Sequence, residues 1–211
     1  NISPAVKHHF FNFSKRLYET LKKTDSSYKL LLTIPAITSA NYPLSELLTI
    51  SDRVIIDFSE VSEKYALNAA PLASLSGLKD TLTYFINSGI QKEKIVVCLP
   101  YRGAIWKVNA GKKAKFIDYI KYKDLRRTYN FEAYTSYAPD SFPSFVVMDS
   151  FRIVKRDTTL LKQIYYDDVS SIGKKYEFIL DQGFKGVAVK YLGDDFGYTG
   201  LWDEMSYAFA E

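Results

Sequence analysis

The sequence predicts an α/β fold: four parallel-type strands joined by crossover helices, half the complement of a (β/α)8 TIM barrel, with a small α+β insertion. Three observations carry this. Four short runs are almost wholly apolar, as strands of a parallel sheet are when both faces are covered. Segments with apolar residues at helical spacing lie between these runs. From residue 104 to 164 the rhythm breaks into turn signals and Val/Phe/Ile-rich segments suited to antiparallel strands.

The elements follow in order. From Pro4 to about Lys23, Phe10, Phe13, Leu17 and Leu21 recur at helical spacing, with proline in the first turn and Lys22-Lys23 in the last. Tyr28 to Ile34 is the first strand, ended by Pro35, and Leu44 to Ile50 a short helix. Val54-Ile55-Ile56-Asp57-Phe58 is the second strand. A loop through Ala69-Ala70-Pro71-Leu72 leads to a helix from about Leu78 to Ser88. Ile95 to Pro100 is the third strand, after a turn at Gly89. In the insertion, Gly-Lys-Lys and Pro-Asp mark turns, and a helical piece spans about Tyr122 to Thr128. A helix from Ser171 to about Asp181, the strand Gly186 to Tyr191 and a closing helix from Leu201 to Glu211 complete the chain. A complete barrel needs about 250 residues. A doubly wound open sheet is the other reading of these strands, but no glycine-rich phosphate loop follows any of them.

Composition narrows the function. A net charge of +4, with acidic and basic residues interleaved, does not suggest nucleic acid. No apolar run approaches the roughly 20 residues that span a bilayer, and the start at Asn1 shows no signal peptide. Cys98 is the only cysteine, which excludes an internal disulfide and a cysteine metal site. No cofactor or metal is expected. His8 and His9 are adjacent on a helix, about 100° apart, and cannot chelate together. Asp167-Asp168 and Asp194-Asp195 have no nearby histidine and turn-like flanks, so capping and turn roles are expected. The 17 tyrosines suit sugar stacking as well as ordinary core filling.

Four segments share an order with a known family. They are Ser51-Asp52-Arg53-Val54-Ile55-Ile56-Asp57-Phe58-Ser59-Glu60, then Asn68-Ala69-Ala70-Pro71-Leu72, then Gly89 through Ile95 to Leu99-Pro100-Tyr101-Arg102-Gly103, then Tyr166-Asp167-Asp168 with Ser171 and Lys175. In that order they resemble glycoside hydrolase family 18, the chitinases and chitinase-like lectins. The resemblance implies strands five to eight of the barrel: 1–103 as strands five to seven, 104–164 as the α+β insertion, and 165–211 as strand eight with its closing helix.

The resemblance also implies where chemistry belongs. The family carries D-x-x-D-x-D-x-E at the end of strand four, ahead of the helix with which this sequence opens, and these 211 residues contain no such motif. In the family's substrate-assisted scheme the N-acetyl oxygen attacks the anomeric carbon while the motif's glutamate protonates the leaving oxygen. No catalytic residue is therefore expected in this chain, and alone it is expected to be inactive.

The substrate-binding candidates are Asp57, Ser59, Glu60, Tyr101, Arg102, Lys190 and Tyr191. Where the family has Met-x-Tyr-Asp, this chain has Asp57-Phe58-Ser59-Glu60. Alternation points Asp57 and Ser59 inward and puts Glu60 at the rim; a register shifted by one would put Phe58 and Ser59 at the site instead. Arg102 stands for a tyrosine, and Lys190 for the tryptophan that floors the central sugar. An Asp57–Lys190 ion pair is expected in its place; the alternative is a floor made by Tyr101 or Tyr191.

Two functions stay open. One is the C-terminal part of a chitinase-like hydrolase that acts on polysaccharide containing N-acetylglucosamine, its motif supplied by an upstream segment. The other is a non-catalytic carbohydrate-binding protein or scaffold. The resemblance implies an extracellular, cell-surface or periplasmic location, and unpaired barrel edges imply self-association.

Overall fold

The computed structural model describes residues 3–60, 69–109, 114–128, 135–138, 141–153 and 158–210. The Gly-Lys-Lys and Pro-Asp turns and Asn68 lie outside them. The chain forms two compact units. The first comprises Asn1–Phe58, Leu78–Leu99 and Ile179–Ala188; the second comprises Ser59–Gly77, Pro100–Phe178 and Val189–Glu211.

In the first unit, helix α1 (Lys7–Thr24) precedes β1 (Leu31–Pro35), the short helix α2 (Leu44–Leu47) and β2 (Arg53–Asp57). Helix α3 (Leu75–Asn87) leads into β3 (Ile95–Pro100), and β9 (Gly186–Lys190) completes a sheet of order β1-β2-β3-β9. β1 pairs parallel with β2, Ile34 opposite Ile56, and β2 pairs parallel with β3, Ile56 opposite Val97. β3 is buried along its whole length, as an unbroken apolar run requires. Val54, Ile56, Ile95 and Val97 form the core with Leu78, Leu82 and Phe85 of α3.

One local expectation needs correction. β1 alternates, with Leu32 and Ile34 buried and Leu31 exposed, so one of its faces is open. On α1 the apolar stripe does not form the buried face. Phe13 is 65% exposed, Ser14 is the buried residue, and Phe10 packs edge-on against Tyr42 at 5.6 Å.

One carboxylate ties the edge of this unit together. Asp52 accepts the Leu30 N–H at 2.8 Å and the Lys22 ammonium at 2.9 Å, with Lys29 at 3.7 Å. Burial pushes its pKa up, but these donors outweigh that and hold it below the usual carboxylate value.

The second unit is built on an antiparallel sheet of order β5-β4-β8-β7-β6. Its strands are β4 (Arg102–Asn109), β5 (Lys115–Lys121), β6 (Thr135–Ala138), β7 (Ser141–Ile153) and β8 (Thr158–Tyr165), with α4 (Tyr122–Thr128) between β5 and β6. In the chain, Tyr101 is the one residue between the end of β3 and the start of β4. Gly103 is required in β4, because a Cβ there would stand 2.6 Å from the Tyr165 carbonyl oxygen. Trp106, 1% exposed, packs edge-on against Phe116 and donates its indole N–H to the Ala70 carbonyl at 2.8 Å. That bond fixes the Ala69-Ala70-Pro71 loop to β4. Helices α5 (Val169–Asp181) and α6 (Gly200–Phe209) bury Ile172, Tyr176 and Leu201.

Candidate functional site

The polar residues at the strand ends gather in the second unit. The bend at Tyr101 brings the end of β3 to the end of β9, because the Tyr101 N–H donates to the Lys190 carbonyl at 2.8 Å. Arg102, next in the chain, then reaches two further segments. Its Nη2 donates to the Ser59 carbonyl at 2.9 Å and to the Tyr191 hydroxyl at 3.4 Å. The guanidinium carbon lies 3.8 Å from the Tyr119 ring centroid and 4.3 Å from that of Tyr191. A flat, weakly hydrated cation against two aromatic faces is worth about 0.5–2 kcal/mol per contact. Arginine is the side chain that can stack and donate in plane at once.

Around this centre, Ser59 is fully buried and Glu60 half-buried. Lys190 is half-buried, with its ammonium 5.0 Å from the Tyr191 ring centroid. Tyr191 is 40% exposed and thus offers ring surface to solvent. The Lys190–Tyr191 peptide is cis. The structure therefore brings Ser59, Arg102, Lys190 and Tyr191 together, with Glu60 adjacent in the chain. Asp57, 4% exposed, belongs to the first unit, so its pairing with Lys190 stays an expectation.

Tyr101 is 1% exposed. Its hydroxyl bonds to that of Tyr176 at 3.0 Å and donates to the Leu201 carbonyl at 3.1 Å, and its ring meets Trp202 edge-on at 5.3 Å. With its polar tip satisfied inside, the whole ring can be buried. Burial pushes its pKa up to about 12, so it stays a neutral phenol.

Tyr119 is the residue that sequence reasoning missed. It comes from β5 of the antiparallel sheet and had no motif to mark it. The aspartate pairs have structural roles. Asp168 accepts the Ser171 N–H at 2.8 Å and Ser171 Oγ accepts the Asp168 N–H at 3.0 Å, a reciprocal cap at the start of α5. Asp194 and Asp195 are buried in the turn after β9, where the Asp194 carbonyl accepts the Lys123 N–H. Burial raises the Asp194 pKa against the opposing pull of Lys121, Arg102 and Lys123. Among the described residues no group of His, Cys, Asp and Glu is placed to hold a metal ion, and no helix is long and apolar enough to cross a membrane.

Comparison with known proteins gives a consistent answer. The sequence profile of glycosyl hydrolases family 18 matches residues 2–195. A search of curated proteins returns no match. Among solved structures, a chitinase from Chromobacterium violaceum superposes with TM-score 0.77 at 17% identity, covering 99% of this chain and 63% of that one. The chitinase-like agglutinin of Robinia pseudoacacia gives 0.70 at 20% identity, covering 98% and 64%. Catalytic domain 2 of the Ostrinia furnacalis group II chitinase, a variant in complex with (NAG)5, gives 0.79 at 14% identity, covering 98% and 61%. At these identities the likeness is one of fold. The chain spans about three fifths of the length of these structures, and its parallel sheet and helices match part of a barrel domain.

Proposed function

The chain belongs to glycosyl hydrolase family 18, and on that premise we propose that it supplies a sugar-binding surface for polysaccharide containing N-acetylglucosamine. The exposed ring of Tyr191, fixed beside Arg102, is the observation that carries this reading. A ring face set against a sugar's C–H face buries apolar surface, and its hydroxyl and the guanidinium give hydrogen bonds that orient the ring. Tyr191 thereby takes the flooring role that the tryptophan position, Lys190, no longer fills.

Chemistry within these residues stops at binding. The chain has no D-x-x-D-x-D-x-E, and Glu60, one residue beyond the Arg102-bonded Ser59 carbonyl, belongs to the binding surface. Hydrolysis by the whole protein requires a proton donor from outside these residues; with none, the protein is a non-hydrolytic binder of the same glycan. The agglutinin among the matched structures supports keeping both outcomes of this fold in view. A location outside the cell or on its surface, where such polysaccharide occurs, is part of the proposal.

The test is titration of chitooligosaccharides into the protein by calorimetry, beside an assay for new reducing ends with the 211-residue chain alone. Tyr191→Ala is expected to weaken binding about tenfold, since stacking on one ring is worth about 1 kcal/mol or more. The chain alone is expected to show no turnover at any pH. Hydrolysis that disappears in Glu60→Gln would overturn the assignment of roles, and unchanged binding in Tyr191→Ala would overturn the site.

A further inference from the structure

We propose that the antiparallel sheet carries a separate binding site, a row of three lysines that takes a linear phosphodiester polymer without bases. Lys107 of β4 stands directly opposite Lys115 of β5 on one side and directly opposite Lys162 of β8 on the other. Residues directly opposite in a ladder share a face, and neighbouring strands lie about 4.8 Å apart. The three side chains therefore leave the sheet in line, over a span of about 10 Å. Alternation along β4 puts Lys107 on the other face from Arg102. Lys107 and Lys115 are exposed and Lys162 is half-buried. Among the described residues none of the three makes an ion pair.

The row costs stability, because like charges directly opposite each other repel. Edge protection accounts for only one member. β5 is an edge strand, where a lysine deters pairing with another chain. β4 and β8 are paired on both sides and need no such guard. The five strands hold two acidic residues, Asp118 and Asp149. Asp149 stands opposite Lys162 at the far end of the row. Asp118 stands opposite Ile105, the next β4 residue on that face, and accepts the Tyr119 N–H at 2.8 Å. A line of cations is best satisfied by a line of anions. An ammonium is a compact point charge suited to phosphate, whereas the planar carboxylate is matched by the guanidinium fork, and this row holds no arginine. Beside Ile105, β8 places Ile164, so no aromatic platform for bases adjoins the row there.

The decisive measurement titrates the full chain with three probes of equal charge, poly(glycerol phosphate), oligo(dT) and polygalacturonate, over a series of salt concentrations. Poly(glycerol phosphate) is expected to bind, with log K falling by about 2 per decade of salt, as three neutralised phosphates require. Lys107→Gln is expected to reduce that slope by about 0.7. Lys107→Gln, Lys115→Gln and Lys162→Gln together are expected to remove binding, while Lys23→Gln on α1 leaves it unchanged. Since repulsion is relieved, the triple variant is expected to unfold at the same or a higher temperature, which separates lost binding from a lost fold. No binding of poly(glycerol phosphate), or binding that survives the triple variant, overturns the proposal. Equal or tighter binding of oligo(dT) or polygalacturonate overturns the choice of a phosphodiester without bases. The chitooligosaccharide titration stands apart from all of these outcomes, because it reads the Arg102–Tyr191 surface on the other face.

Discussion

The fully buried ammonium of Lys175 donates to both carboxylate oxygens of Asp167, and Ser171 Oγ donates to one of them at 2.8 Å. Burial pulls the lysine pKa down, against the charge and hydrogen bonds of Asp167 that pull it up. Ser171 and Lys175 stand one helical turn apart on α5, so both reach the loop just before the helix. The Tyr-Asp-Asp, Ser, Lys spacing is thus a device for seating α5 in the second unit.

Lys175→Met is expected to destabilise the protein by about 3–5 kcal/mol, because it leaves a buried carboxylate without its counter-charge. Asp167→Asn combined with Lys175→Met is expected to recover much of that loss, since an amide still accepts the Ser171 hydroxyl and no charge is stranded. Urea unfolding of both variants checks this. A single variant that costs under about 1 kcal/mol would contradict the account.

Gly103→Ala is expected to cost about 1–3 kcal/mol or more, an overpacking penalty. The added methyl meets the Tyr165 carbonyl at 2.6 Å, the Tyr166 Cβ at 3.1 Å and an Ile120 methyl at 3.2 Å, and the first of these is backbone that cannot swing aside. Thermal unfolding of the variant is the measurement; an unchanged midpoint would refute it.

Asp52→Asn is expected to lose about 1–2 kcal/mol at neutral pH through its bonds to Leu30 and Lys22. The folded pKa of Asp52 lies below its usual value, so its contribution is complete above the unfolded value near 3.8 and is lost as pH falls through the folded one. The stability difference between wild type and variant should therefore shrink in acid. Denaturant titrations at neutral pH and near pH 2 would reveal a difference that fails to shrink.

Trp106→Phe keeps a ring in the core but removes the donor to the Ala70 carbonyl, at a cost of about 1 kcal/mol. The loop around Ala69-Ala70-Pro71 is expected to become more sensitive to limited proteolysis. Equal cleavage rates at that loop in wild type and variant would show that it is held by something else.

Much of this was legible in the sequence. The runs at Val54–Ile56 and Ile95–Leu99 could only be buried strands, and α4 was located from Tyr122 to Thr128. Ser59, Arg102, Lys190 and Tyr191 were read from motif positions and are neighbours in the second unit. What failed depended on direction in space. The sequence cannot say that Tyr101, one residue past β3, turns inward to Tyr176 while Arg102 turns to Ser59. Nor can helical spacing reveal that α1 packs through Ser14, because the hydrophobic stripe and the contact face are separate facts. Tyr119 was invisible because its partner is 17 residues away across a strand pair, in a segment with no motif.

The route of the chain through the antiparallel sheet has an evolutionary consequence. The sheet is entered by β4 and left by β8, and these two strands lie side by side, with Ala104 opposite Tyr165. Entry and exit are therefore about 5 Å apart, the spacing of paired strands. A segment with adjacent ends can be lengthened, exchanged or deleted without moving what precedes or follows it. Yet β5 carries Tyr119, one face of the arginine stack, and β4 begins with Arg102 itself. The strands of this sheet thus form a segment that can be exchanged as a unit, and on the proposed binding reading relatives that differ in it are expected to differ in the glycan they prefer while keeping the same parallel sheet.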